Sequence, residues 1–219
     1  MVNQSSIRWT KQVLRCIAQL PYISILISIY TIKGNSHRAP FYLLIENNYY
    51  STEILKALSK GILLTVKGDE KVNTMAISWG ALGIEWNKLL FTAYIRENRY
   101  TKAILDKTLD FTINIPLDKM DSKVFNISGT KSGRDIDKIK EANLTLVDSE
   151  IVSSPAIKEL PITLECKVLY QQRQVLENLP DDIVKRDYPQ DVDGTAVGAN
   201  RDPHTAYYAE IVAAYIIEE

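Results

Sequence analysis

Asn73-Thr74-Met75-Ala76-Ile77-Ser78-Trp79 is the first half of the stretch around which the chain is organised. The second half follows a turn. It is Leu89-Leu90-Phe91-Thr92-Ala93-Tyr94-Ile95, running into Arg96-Glu97-Asn98-Arg99-Tyr100-Thr101. Both runs have strand character, and together they deliver two arginines and several small hydroxyl or amide side chains to one edge. Such an edge suits a phosphate and a planar polar ring. Alternation places Asn73, Met75, Ile77 and Trp79 on one side and Thr74, Ala76 and Ser78 on the other. Small polar groups beside small apolar ones allow close approach of a flat heteroaromatic ring. Taken by itself, the alternation more often marks an amphipathic strand with Trp79 in the core.

Arg96 is expected at a strand end and Arg99 in the turn that follows. A phosphate monoester carries roughly −1.5 to −2 charges near neutral pH, and arginine's planar fork grips it with two parallel hydrogen bonds. Thr101 is placed to cap the next helix, whose first N–H groups and dipole favour an anion. The plainer alternative leaves both arginines solvated or paired with Glu97 and Asp106.

Gly129-Thr130-Lys131-Ser132-Gly133-Arg134-Asp135 is a small-residue loop running into a helix, with Ser132 and Asp135 at capping-box spacing. It offers amides and Lys131 or Arg134 to an anionic ligand, or it is simply a helix start. His204 follows Asp202-Pro203 at the lip of the last strand, as a structural residue or as a proton or substrate contact. Glu165 and Glu210 fall in apolar strands and need partners, with Arg or Lys the default.

At 219 residues the chain makes one domain, or one with an appendage, and can bury a core without disulfides. Apolar content of 46% and charged content of 24% are those of a soluble globular protein. A formal charge of −1 gives no footprint for nucleic acid. Cys16 and Cys166 are the only cysteines, which fits a reducing, cytoplasmic setting. The two histidines, His37 and His204, are far apart and no Cys-x-x-Cys occurs, so no metal cluster is expected. Gly-x-Ser-x-Gly, Walker and Gly-x-Gly-x-x-Gly patterns are missing too.

Residues 1–50 form an atypical extension ahead of a domain expected over 51–219. Arg8, Lys11 and Arg15 precede an apolar run, residues 16–32, in the order of a signal or membrane anchor. Pro21 and several polar groups interrupt that run, and it is at the lower limit for spanning a bilayer. A core-packed extension, or one that is poorly ordered or not normally translated, with the true start near residues 47–52, are the alternatives.

Beyond it, Ser51-Thr52-Glu53 starts a short helix with Ile54, Leu55 and Leu58 apolar, and Gly61 stops it. Strands are expected over 62–66, 72–79, 89–95, 110–115, 162–170 and 207–217, with Gly80, Gly83 and Asn87 punctuating a loop. Short helices are expected over 101–107, 122–128, 133–143 and 181–186. Residues 187–203 read as a loop. Short strands separated by turns favour an antiparallel barrel with small helices outside.

Taken in order, Lys60 to Thr65, Asn73 to Gly80, Tyr94 to Thr101, Gly129 to Asp135 and His204 to Ile211 resemble the flavin reductase-like, FMN-binding split-barrel family, especially its flavoredoxin-like branch. The similarity runs over about residues 51 to 217. Three departures stand out: residues 1–50, which have no counterpart in the family; Ser128 and Ala209 where such proteins often have cysteine and glycine; and a longer loop over 187–203.

The resemblance implies a mainly β, antiparallel Greek-key split barrel, a homodimer, and one FMN per subunit near the dimer interface. It implies that Asn73, Thr74, Met75, Ala76, Ser78 and Trp79 line the ring and ribityl chain. Arg96, Arg99, Tyr100 and Thr101 would hold the phosphate end, and Ser132, Gly133, Arg134 and Asp135 would lie close to the cofactor. The activity implied is an NADH- or NADPH-dependent oxidoreductase passing electrons through FMN to a free flavin, a protein partner or another small acceptor. The alternatives are a flavoredoxin-like electron carrier without its own nicotinamide reaction, and a non-enzymatic flavin-binding module.

Overall fold

The computed structural model describes residues 49–193 and 201–217. The expectations for residues 16–32, Cys16 and His37 lie outside them. Helix α1 (Tyr49–Lys60) buries Ile54 and Leu58 and leaves Leu55 exposed. It ends at Gly61, whose φ of 106° is open to glycine, and where a Cβ would strike the Phe125 ring. Strands β1 (Ile62–Lys67) and β2 (Val72–Ile77) form a hairpin, with Ile62 opposite Ile77. Next come β3 (Gly80–Glu85), β4 (Lys88–Arg96), helix α2 (Tyr100–Thr108) and β5 (Asp110–Ile115). Helices α3 (Ser122–Thr130) and α4 (Lys138–Glu141) follow, then a two-residue pair, β6 (Leu146–Val147) and β7 (Ala156–Ile157). The chain continues with β8 (Ile162–Arg173), helix α5 (Asp181–Asp187) and β9 (His204–Ile216).

Seven strands make one antiparallel sheet in the order β2-β1-β5-β8-β9-β4-β3. The sheet curls so that residues from both halves meet: Leu64, Met75, Phe91, Ile95, Phe111, Leu164 and Tyr207 share one core with Ile54 and Leu105 of the helices. The expected class, a mainly β antiparallel barrel with small peripheral helices, is what forms. A second, smaller core lies on the other face of β1 and β2, where Leu63 and Ala76 meet Val124, Ala142, Leu144, Ile157 and Leu160.

Several local expectations change. The stretch with Gly80 and Gly83 is not a loop. It is edge strand β3, joined to β4 through Trp86 and Asn87, both at positive φ (51° and 56°), the geometry of a two-residue primed turn. Glycine-rich punctuation hid a strand whose partner is local. The helix expected over 133–143 shrinks to α4, because Asp137, rather than Ser132, caps it by accepting from the Lys140 N–H at 3.1 Å. Strand β9 begins at His204 rather than Tyr207, and β8 extends to Arg173. Trp79 leaves the core and is 39% exposed.

Glu165 is fully buried, yet no cation among the described residues pairs with it. Its carboxylate accepts the N–H groups of Glu150 (2.6 Å), Ile151 (2.7 Å) and Val152 (3.1 Å). Asp110 gathers Ser153 and Ser154 in the same way, and Asn114 accepts from Ile157 N–H at 2.9 Å. Three strand side chains thus fasten the irregular 150–157 segment over the sheet. Glu210, by contrast, has the expected partner in Lys88 at 2.8 Å.

Glu165→Gln replaces an acceptor oxygen with an NH2 facing backbone donors. We expect it to lower unfolding free energy by about 2–4 kcal/mol in urea titration. Lys88→Gln, at a half-exposed pair, should change it by under about 1 kcal/mol. Equal effects would refute the role given to Glu165.

Candidate functional site

Arg96 ends β4 opposite His204, the first residue of β9. Its guanidinium is buried, donating from Nη1 to Asp202 O (2.8 Å) and from Nη2 to Asp187 O (3.1 Å). It also lies 5.7 Å from the Trp79 ring centre and 5.1 Å from that of Tyr188. Burial lowers its pKa, against the pull of Asp202. Arg96 was expected to grip a phosphate with its fork. Instead it ties Asp187, where α5 ends, to Asp202, where the chain enters β9.

Arg99 differs. The turn before it is fixed by its own N–H donating to Arg96 O (3.1 Å) and by Asn98 N–H donating to Asp202 Oδ2 (2.9 Å). Its guanidinium makes no hydrogen bond or ion pair among the described residues. Arg99 is also the N-cap residue of α2, with no side chain capping that helix start. Thr101 therefore does not cap. It sits inside the first turn and accepts from Asn73 Nδ2 at 2.8 Å, buried.

The third cation is Lys138, a residue that the sequence reading passed over. It opens α4, is buried, and donates from Nζ to Ser128 O at 2.9 Å. Burial, and then the charge of Arg99, push its pKa down to about 8. The Ser128 hydroxyl beside it is sealed from solvent and has no hydrogen-bond partner among the described residues. A signal existed: Lys138 stands four residues before Ala142, on the buried face of a helical turn.

The 132–136 segment closes on this corner as a turn rather than a helix start. Ser132 O accepts from Asp135 N–H (3.1 Å), and Ser132 Oγ accepts from Arg134 N–H (3.1 Å). Gly133 lies so close to Asn73 and Tyr100 that a Cβ would collide with both, and its carbonyl accepts from Lys71 Nζ. Arg134 donates to Asn98 O at 3.1 Å and lies 5.4 Å from the Tyr100 ring centre. Asp135 is exposed.

The structure therefore gathers Asn73, Tyr100, Thr101, Gly133 and Arg134 in one linked cluster. Arg99 and Lys138 crowd each other's charges close by. Thr74 and Ala76 go elsewhere. Thr74 is fully buried in a hydroxyl pair with Thr65 (3.1 Å), and Ala76 packs in the second core, near Gly129. Met75 is core and Ser78 is exposed.

His204 is buried, with Nδ1 2.9 Å from the Tyr188 hydroxyl and its ring 4.8 Å from Trp79. Burial, with Arg96 and Arg99, pushes its pKa down to about 3. The imidazole is neutral at physiological pH and supplies no proton from a cationic form. Tyr188 and Gln174, its partners, come from segments with no sequence signal at all.

Among the described residues no helix is long and apolar enough to cross a membrane, and no cluster of three His, Cys, Asp or Glu could hold a metal ion.

An uncharacterized protein of Archaeoglobus fulgidus is 33% identical over 106 residues. That match covers 48% of this chain and 59% of that protein, so the chain spans less than two thirds of the curated relatives it matches. Among solved structures, a flavoredoxin of Desulfovibrio vulgaris (Miyazaki F) superposes with a TM-score of 0.53 at 17% identity, over 90% of this chain and 78% of its own. An FMN-binding protein from Thermus thermophilus with bound p-hydroxybenzaldehyde gives 0.52 at 15% identity, over 90% and 83%. The sequence profile of the flavin reductase like domain matches residues 58–219. With that match across most of its length, the chain belongs to the flavin reductase-like family.

Proposed function

We propose that the chain binds FMN at the Arg99–Lys138 corner and acts as a flavin reductase, taking electrons from NADH or NADPH. The observation that carries this is a guanidinium without a partner among the described residues, beside a buried lysine whose charge it opposes. Like charges held together in a partly dry corner favour a bound dianion. The donor chemistry suits a phosphate monoester: Arg99, Lys138 and the uncapped start of α2. Gly133, without a Cβ, gives close backbone approach next to Asn73 and Tyr100. Kinship with flavin reductase-like proteins supports a flavin over other phosphates.

When bound, the flavin supplies two-electron and one-electron transfer that no side chain here provides. The chain's own residues do the rest. Arg99 and Lys138 neutralise the phosphate and set its register. Asn73, held by Thr101, and Trp79, between β2 and β3, flank the path toward the ring. Arg96 fixes the wall formed by Tyr188 and His204.

Purified protein incubated with FMN should gain flavin absorbance, and anaerobic NADH or NADPH should bleach it. No bleaching with either donor would leave an electron carrier, and no uptake would end the flavin reading. Arg99→Ala should weaken FMN binding about tenfold to a hundredfold, the range for a charge-assisted hydrogen bond. It should leave riboflavin, which lacks the phosphate, unaffected; equal loss for both ligands would refute the phosphate assignment.

Affinity should also track pH. A bound dianion raises the Lys138 pKa above its resting value of about 8. Binding is therefore strongest while the lysine is already charged. It should weaken as pH climbs past 8, by up to about tenfold per unit. Lys138→Met should abolish that alkaline limb, and an unchanged limb would remove Lys138 from the site.

A further inference from the structure

Gln174, Tyr188 and His204 form a hydrogen-bond circuit whose proton positions follow from the backbone. His204 N–H can only donate, and it faces Gln174 Oε1 at 3.3 Å. The Gln174 N–H in turn donates to His204 O at 2.8 Å, locking the two residues side by side. The amide oxygen of Gln174, rather than its nitrogen, therefore faces this cluster. An amide oxygen accepts and never donates, so the Tyr188 hydroxyl, 2.8 Å away, gives its one proton to Gln174. Toward His204 Nδ1, at 2.9 Å, the same hydroxyl oxygen is left as an acceptor. Nδ1 must then carry the hydrogen, and a neutral ring keeps its lone pair on Nε2.

Nothing among the described residues bonds Nε2, and Nε2 is not one of the buried atoms sealed off without a partner. Beside the ring lies Trp79, tilted by 37° and 39% exposed. Arg96 fixes the other side by holding Tyr188 and Trp79 against its guanidinium.

We propose that this circuit fixes His204 as the Nδ1–H tautomer, making Nε2 a hydrogen-bond acceptor for a planar ring that carries an N–H donor beside Trp79. A ring bearing a primary carboxamide is of this class. An acceptor-only ring of the same shape sets lone pair against lone pair and is rejected. Tyr188 and Gln174 are positioning residues that act through His204. The tautomer stands on the hydrogen bonds alone, whereas the choice of a carboxamide ring rests on the nicotinamide-dependent reading given above.

The tautomer is tested on the full chain labelled with 15N-histidine, by long-range 1H–15N correlation, with His37→Gln for assignment. A pyrrole-type Nδ1 and a pyridine-type Nε2 across pH 5 to 8 is expected. A pyrrole-type Nε2, or averaged shifts, would overturn the proposal whether or not FMN binds.

Nicotinamide and 3-acetylpyridine, which lacks the N–H donor, test the selectivity. Tyr188→Phe removes the acceptor on Nδ1. It should move the ring toward the Nε2–H form and weaken nicotinamide about tenfold, the worth of one hydrogen bond, while sparing 3-acetylpyridine. Gln174→Glu keeps an acceptor in place and should keep the wild-type spectrum. Equal weakening of both probes by Tyr188→Phe, or a Gln174→Glu spectrum showing Nε2–H, would refute the circuit. Failure to take up FMN would sink the flavin reading and leave the tautomer result standing.

Discussion

A buried guanidinium in the seam between β4 and β9 sets the conditions for everything around it. Arg96 cannot leave water without acceptors, and it finds them in two main-chain carbonyls from distant points of the chain, Asp187 and Asp202. Those bonds draw α5 and the approach to β9 onto the sheet. The same positive charge then acts on its neighbours. It helps hold His204 neutral, and with Arg99 it gives this end of the barrel a positive field in a protein whose formal charge is only −1. The two arginines of one short turn therefore have different work. Arg96 is inward and architectural, while the Arg99 guanidinium makes no hydrogen bond or ion pair among the described residues.

Polar groups elsewhere follow a related logic. The sheet's second face is not closed by apolar packing alone. Glu165, Asp110 and Asn114 reach out and satisfy the amides of the 150–157 segment, which has almost no regular structure of its own. An irregular cover carries many unpaired N–H groups, and carboxylates are the strongest acceptors available for them. That is why Glu165 needs no cation: its counter-charge is a set of backbone dipoles.

Much of the fold was legible because its signals are local. Alternation in 62–66, 72–79 and 110–115 marks strands, and Gly61 marks a helix end. Strand β3 was hidden because Gly80 and Gly83 carry turn chemistry, although pairing with β4 overrides it. The site was legible in part. Asn73, Arg99, Tyr100, Thr101, Gly133 and Arg134 all reach one corner, because strand ends and tight turns put them there. Direction was what alternation could not give for a strand covered on both faces: Thr74 and Ala76 face a second layer that hydrophobic periodicity does not announce. Lys138, Tyr188 and Gln174 escaped because their roles depend on pairings between segments far apart in the chain. Capping by Thr101 failed for a simpler reason: the helix starts at Tyr100 with Arg99 at the N-cap, so Thr101 lies inside the first turn.

Strand β9 lies inside the sheet rather than at its rim, bonded to β8 on one side and β4 on the other. Its pairing with β4 joins Arg96 to His204 across a very long loop, and closing such a loop is entropically expensive and kinetically late. Bringing Arg96 and His204 together and closing the barrel are therefore a single event. Partly folded chains would hold the hairpins β1–β2 and β3–β4 with Arg96 and His204 still apart.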